Sequence, residues 1–354
     1  MRYIFYCVLI LLAVLRTFTS RPIYKDGDKI RITDRVISEP LYFDNSQRIV
    51  LQNLKIYLPK YPVVTYGDSV VVEGVVSDGR LSNPILVNIE ENKNFLYQFR
   101  NKVIKVYQRS LPEPHSSLIA GITLGSKASI PKYFWENLKS TGTLHVVVAS
   151  GVNVTFVAKF LIETLVLFID RKKAVIASLS GVWGYALLSG FDAPIVRASI
   201  MGSIAYTAEA QGRLSSAVNA LFLSGLLMII LKPDWIQDVG FQLSFLATLG
   251  LVLFEGKLKS KLSMLPRIFR ESLSTTISAQ IAVSPLLLFV FGFINLLSPL
   301  INALILWTIP GIMIIGALGG IAGVVFEPLG QTILLMAYPL TWWFTTLIEI
   351  LAFK

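Results

Sequence analysis

The stretch Leu144–Val157, LHVVVASGVNVTFV, decides the fold. It begins as an apolar run suited to a membrane-spanning helix, yet it carries His145, a Ser150-Gly151 break and Asn153 within a few residues. An unsatisfied polar group in hydrocarbon costs several kcal/mol, so irregular backbone at membrane depth survives only inside protein or beside a water-filled cavity. The stretch is therefore expected to belong to such a cavity.

Working outward, composition points to the same class. Hydrophobic residues make up 54% of the 354 and charged ones 15%, against about 25% charged in ordinary soluble domains, and the mean hydropathy is +0.64. From Leu144 onward the apolar segments 144–169, 174–190, 194–208, 215–231, 239–254, 273–290, 299–325 and 329–352 follow one another, several near the roughly 20 residues needed to span hydrocarbon. With the preceding β-rich region outside, the loops 170–173, 209–214 and 255–271 fall inside with nine Lys/Arg, and the loops 190–193, 232–238 and 291–298 fall outside with one. The net charge of +10 thus has a topological cause and does not by itself argue for nucleic acid. The single cysteine, Cys7, excludes an intrachain disulfide, and one Cys with two His gives no zinc ligand set.

At the N-terminus, Arg2 precedes the apolar run Tyr3–Leu15, and Thr17–Ser20 shows no small-x-small cleavage pattern, so residues 1–20 are expected to form a retained membrane anchor. Residues 21–94 change character: β-branched and alternating runs are separated by Asp26-Gly27, Tyr66-Gly67-Asp68 and Ser77-Asp78-Gly79. They predict a small antiparallel β domain, and Gly67–Val76, GDSVVVEGVV, suits a strand of an OB-like barrel. Its ten basic and ten acidic residues leave no net footprint for a polyanion. Tyr42, Phe43, Tyr57, Tyr61 and Tyr66 suit either base stacking or the core of the sheet. Residues 95–143 form a basic connector in which Phe95, Phe99, Val103, Val106 and Tyr107 share a helical face. Its Arg100, Lys102, Lys105 and Arg109 suit anionic lipid or phosphate, and a second amphipathic piece is expected over Ser116–Lys139.

The chain is thus read as a polytopic α-helical membrane protein with a small external OB-like β-barrel domain near the N-terminus, its helical domain covering 144–354. Charged residues at membrane depth face a bundle interior or an aqueous path. Lys159 and Glu163 are spaced to pair, whereas Arg197 has two readings, a structural bond to Asp192 or a pore-lining role. Pro194, Pro285, Pro299 and Pro310 interrupt apolar runs, and Gly319 and Gly323 suit close helix packing. Gly250–Lys257 is not a phosphate-binding loop, because five residues separate its glycines and Leu258 stands where Ser or Thr is required. No cofactor is expected.

Thr141-Gly142 with His145, then Ala149-Ser150-Gly151, resembles a segment of the ComEC competence protein family. The likeness runs on through Leu111-Pro112, Ile122–Lys127, Arg197-Ala198 with Met201, Gly212-Arg213, Pro233, Asp238 and Gly240–Phe245, GFQLSF, with Pro285 and Asn302 also matching. The resemblance implies a channel of the bacterial cytoplasmic membrane that takes up single-stranded DNA, its path lined or braced by His145, Ser150, Gly151, Asn153, Lys159, Arg197, Arg213 and Gln242. It also implies membrane lipids, an external DNA receptor and a cytosolic ATPase or single-strand-binding protein as partners. Asn153 stands where the family usually has His, and no metallo-β-lactamase-like nuclease domain follows, so a separate nuclease is expected. Two other classes stay open. One is an intramembrane hydrolase using Ser150 and His145, which lie about 140° apart on an ideal helix. The other is a small-solute transporter.

Overall fold

The computed structural model describes residues 2–19, 24–43, 45–52, 54–92, 94–128, 130–148, 150–212, 216–292 and 294–352. An N-terminal helix, α1 (Arg2–Thr19), precedes a sheet of β1 (Lys29–Arg35), β2 (Leu41–Tyr42), β3 (Ser46–Leu51), β4 (Leu54–Pro59), β5 (Ser69–Ser77) and β6 (Arg80–Glu90). The strand order is β1-β5-β6-β4-β3-β2. Alternation decides the faces: Ile32, Ile49, Leu51, Ile56, Leu58, Val70 and Val72 point into one buried core. The Asp78-Gly79 turn between β5 and β6 holds both residues at positive φ, 48° and 66°, the geometry that lets a two-residue hairpin follow strand twist.

Two expectations need correction. The sheet is mixed, because β4 meets the start of β6 in parallel, with Lys55 opposite Arg80 and Ile56 opposite Leu81. The barrel is not closed either: among the described residues β1 approaches β3 without a ladder. Buried Gln47 stands in for further strand pairing at one end. Its Nε2 donates to the carbonyls of Pro59 (2.8 Å) and Pro62 (2.6 Å), and its Oε1 accepts from Val64 N–H (2.9 Å).

The connector begins with α2 (Phe95–Ser110), whose first turn is capped by Asn94 accepting from Leu96 N–H at 3.0 Å. Val103, Val106 and Tyr107 of its apolar face lie on protein, whereas Phe95 is exposed. Tyr107 donates to the carbonyl of Gly316 at 2.9 Å, and a Cβ at Gly320 would sit 2.7 Å from Val103 Cγ1 and from the Tyr107 hydroxyl. The expected second amphipathic piece is instead two helices. All ten residues of α3 (His115–Leu124) are buried, and α4 (Lys132–Ser140) follows. Having no polar face, α3 belongs inside the bundle.

The remaining helices are α5 (Leu144–Val147), α6 (Gly151–Leu165), α7 (Arg171–Leu188), α8 (Ala193–Ala210), α9 (Ala217–Leu231), α10 (Val239–Lys261), α11 (Arg267–Phe291), α12 (Ser298–Ile305), α13 (Ile309–Val325), α14 (Glu327–Leu335) and α15 (Tyr338–Leu351). Each predicted apolar segment carries at least one of them. By length and composition, Leu144–Leu165, Val239–Lys261, Phe269–Val290 and Ser298–Val325 suffice to cross a membrane, as does the α14–α15 pair, bent by 51°, if counted as one span. Three of the four prolines begin helices rather than break them: Pro194, Pro299 and Pro310 lie in the first turns of α8, α12 and α13, while Pro285 sits within α11. Gly250–Lys257 is helical interior of α10.

The expected small-residue packing is present where α13 meets α14. A Cβ at Gly319 would lie 2.7 Å from Leu334 Cγ, and one at Gly330 would overlap the backbone of Gly323. Gly330→Ala is accordingly expected to destabilise the protein by about 1–3 kcal/mol, the range for overpacking. The measurement is the midpoint of thermal unfolding in detergent, and an unchanged midpoint contradicts this contact.

Candidate functional site: a broken helix beside a buried arginine

The break is built by a turn, a short helix and a second turn. After α4, Thr141 Oγ1 donates to Asn137 O (2.8 Å), and Gly142 adopts φ 71°. A side chain at Gly142 is excluded twice, by that backbone and by Ser298, whose Oγ would stand 2.8 Å from its Cβ. The freed carbonyls are taken up by neighbours. His145 Nδ1 lies 3.0 Å from Gly142 O, so this nitrogen carries the proton, and Ser298 Oγ reaches the same oxygen at 3.4 Å. Asn295 Nδ2 donates to Ser140 O (2.7 Å) while its own carbonyl accepts from Gln280 Nε2 (2.9 Å).

The second turn starts α6. Ser150 is its N-cap with an extended backbone, φ −114° and ψ 161°, but its hydroxyl caps no backbone N–H. It donates instead to Asn153 Oδ1 (3.2 Å), and Asn153 Nδ2 donates to Ile122 O in α3 (3.0 Å). Asn153 is thus a buried clamp between α6 and α3. Ser150 and His145 serve different partners, and His145 is exposed, so the nucleophile–base pair of the hydrolase reading is not assembled.

Arg197 closes the other side. It is 7% exposed, its Nε donates to Ser244 Oγ of α10 (2.9 Å), and its Nη1 lies 3.3 Å from Met201 Sδ. Its Nη2 would be 3.2 Å from a Cβ at Gly151, and Ala198 Cβ would be 3.3 Å away, so the glycine admits the guanidinium to the first turn of α6. No carboxylate among the described residues pairs with Arg197. Asp192, the partner offered by one sequence reading, pairs with Lys127 instead. A buried cation without a counter-charge is costly, and a helix N-terminus favours anions. The arrangement therefore suits one anionic group.

Other predicted residues lie elsewhere. Gln242 turns its amide to Ile236 O (2.7 Å) and braces the entry to α10, beside Asp238, which caps the helix by accepting from Phe241 N–H (2.7 Å). Lys159 and Glu163 pair at 3.7 Å with side chains 68% and 66% exposed, so, contrary to expectation, they are not packed in the bundle interior. Arg213 lies outside the described residues.

The connector's cations divide. Arg109 pairs with Glu327 at 3.3 Å, and Lys102 and Lys105 are exposed. Arg100 is 2% exposed and does not present its charge to solvent, a correction with a clear cause. Its Nη2 donates to Glu39 at 2.9 Å and its guanidinium lies 4.9 Å from the centroid of the Tyr66 ring. Glu39 also accepts from Ser126 Oγ (2.7 Å) and from the backbone N–H of Lys127, while Tyr66 donates to Leu187 O in α7 (3.2 Å). This joint between sheet, connector and bundle was missed in the sequence: Glu39 is 61 residues from Arg100, and Ile122–Lys127 stood out through the family likeness alone. Burial first, then the Glu39 charge, pushes the Tyr42 phenol up to about 12, and burial likewise raises Tyr66. Both phenols remain protonated donors at neutral pH.

A family model described as "Competence protein" matches residues 122–353. The chain is 26% identical over 240 residues to "ComE operon protein 3" of Bacillus subtilis (strain 168), covering 66% of this chain and 30% of that protein. It is 27% identical over 232 residues to "Competence protein ComA" of Neisseria gonorrhoeae, with coverages of 60% and 31%. An "Uncharacterized protein" of Aquifex aeolicus (strain VF5) is 28% identical over 231 residues, with coverages of 62% and 51%. The chain thus spans 30–51% of the length of these relatives. No solved structure matches.

The joint yields its own prediction. Glu39→Ala leaves a buried guanidinium without its carboxylate, expected to cost about 3–5 kcal/mol, and limited proteolysis should then cut the connector near residue 94. Adding Arg100→Met should restore part of the resistance. Equal cleavage of the parent and the Glu39 variant contradicts the joint.

Proposed function

Because this chain belongs to the competence protein family, we propose that its helical bundle passes single-stranded DNA across the bacterial cytoplasmic membrane during DNA uptake, with the β domain on the outer side. The observation that carries the reading is Arg197, a buried cation with no carboxylate partner among the described residues, set against the first turn of a broken helix. A polyanion needs a wet, cationic or hydrogen-bonding path through hydrocarbon. Arg197 supplies the charge, and Ser150, Gly151, Asn153 and Ser244 hold the backbone and guanidinium around it. The nine-to-one distribution of loop cations supports the orientation. The reading of the β domain as OB-like draws on its pairings, β1 with β5, β5 with β6, β6 in parallel with β4, and β4 with β3, as a partly open barrel.

Driving force is assigned to a cytosolic ATPase or single-strand-binding protein, delivery to an external receptor, and removal of the second strand to a separate nuclease. The solute-transporter reading rests on the broken helices alone. The cavity between α6, α7 and α8, lined by Val154, Ala158, Leu179 and Val182 among others, is apolar and about 20 Å³ in volume, and it takes neither a solute nor a strand.

The test is cytoplasmic entry of fluorescent DNA in a strain whose own copy is deleted and replaced by variants. Arg197→Ala should reduce entry by tenfold or more with the protein still present in the membrane, Arg197→Lys should recover part of it, and Ser150→Ala should cause only a graded loss. Unchanged entry in the deletion strain sinks the channel, and loss confined to Ser150→Ala favours the hydrolase.

A further inference from the structure

We propose that the outer face of β3 and β4, extended by the start of β6, is a second nucleic-acid site: a platform that holds a single strand through a stacked base and flanking phosphates before transport. The choice of ligand rests on the DNA-uptake reading above; the surface itself rests on register. Ile49, Leu51, Ile56 and Leu58 fill the core, so their strand neighbours Arg48, Lys55 and Tyr57 face outward. Arg48 stands directly opposite Tyr57, and Lys55 stands opposite Arg80. Lys55 and Tyr57 are two residues apart on one strand, about 7 Å. The Tyr57 ring, 39% exposed, therefore has a cation across from it and another along the strand.

These cations are unspent. Among the described residues none of Arg48, Lys55 and Arg80 forms an ion pair, whereas Glu73, the outward carboxylate of β5, is taken by Arg31 at 3.3 Å. Asp26 and Asp78, joined by a backbone N–H of Asp78 donating to Asp26 at 3.1 Å, bound the row at its far turn. A ring between two cations at strand spacing complements a chain in which flat bases alternate with phosphates. It does not fit a duplex, whose bases are already stacked. Location argues against lipid. The sheet is joined to the bundle through Glu39 and Tyr66, next to the start of β5, and the Lys55–Arg80 row lies at the other end of that strand, eight residues or about 26 Å away. The surface also takes over the role first given to Arg100 and Arg109, which are engaged with Glu39 and Glu327.

The full chain in nanodiscs of zwitterionic phosphatidylcholine is titrated with fluorescein-labelled oligo(dT) of about 20 nucleotides, read by anisotropy. Tyr57→Ala should weaken binding about tenfold, within the range measured for base–aromatic stacking, and Tyr57→Phe should stay within twofold of the parent. Arg48→Ala with Lys55→Ala should weaken it further and flatten its salt dependence. Parent-like affinity in the Tyr57→Ala or the double variant overturns the platform. So does equal weakening by Tyr57→Phe and Tyr57→Ala, or a defect seen only with phosphatidylglycerol vesicles. Arg197→Ala separates the two readings. It tests cellular entry alone, so normal entry with Arg197→Ala sinks the path and leaves the platform standing, whereas loss of capture with normal entry in the Tyr57 variant sinks the platform's role in uptake.

Discussion

Backbone carbonyls freed inside a packed bundle need protein partners, and the break between α4 and α6 exposes two at once. Their satisfaction ties the bundle together. Ser140 O is held by Asn295 and Gly142 O by His145 and Ser298, while Asn153 takes Ile122 O of α3. The donors come from the α11–α12 turn, from the start of α12, from α5 and from α6, so separate parts of the chain must meet at one place. The burial of α3 follows from the same requirement. Its Gly121 lies where a Cβ would stand 2.7 Å from Val147 Cγ1 of α5, and its last turn gives the carbonyl that Asn153 takes. A helix with a polar face would not fit between those neighbours.

Among the described residues two guanidinium groups are buried, and they are handled in opposite ways. Arg100 has a carboxylate, an aromatic face and a protein-filled surround, so its charge is spent on joining the sheet to the bundle. Arg197 has a hydroxyl and a thioether. Neither neutralises a full charge, and burying one without compensation is among the larger penalties a fold can carry. The difference sets Arg197, without a carboxylate among the described residues, apart from Arg100, although both look equally cationic in sequence.

The limits of legibility follow from range. Helical segments, the Asp78-Gly79 hairpin and the glycine contacts of α13 with α14 depend on local pattern, and the residues announced them. The parallel pairing of β4 with β6, the Glu39–Arg100 bond and the burial of α3 depend on partners far away in the chain, which no local window contains. The GFQLSF block shows the boundary within a single motif. Gln242 draws attention as the large polar residue, yet it and Ser244 are two positions apart and point about 200° from each other on a helix. Only one of them can face α8. That one is Ser244, which holds Arg197, while Gln242 turns back to Ile236.

The choice of an amide at Asn153 has an account in the geometry. The position needs an acceptor for Ser150 Oγ and a donor for Ile122 O at the same time, inside a site that is 1% exposed. A neutral imidazole offers one of each, but protonation converts its acceptor nitrogen to a donor and adds a charge. An amide offers both groups at every pH and never charges. Asn153 therefore holds the α3–α6 clamp independently of pH.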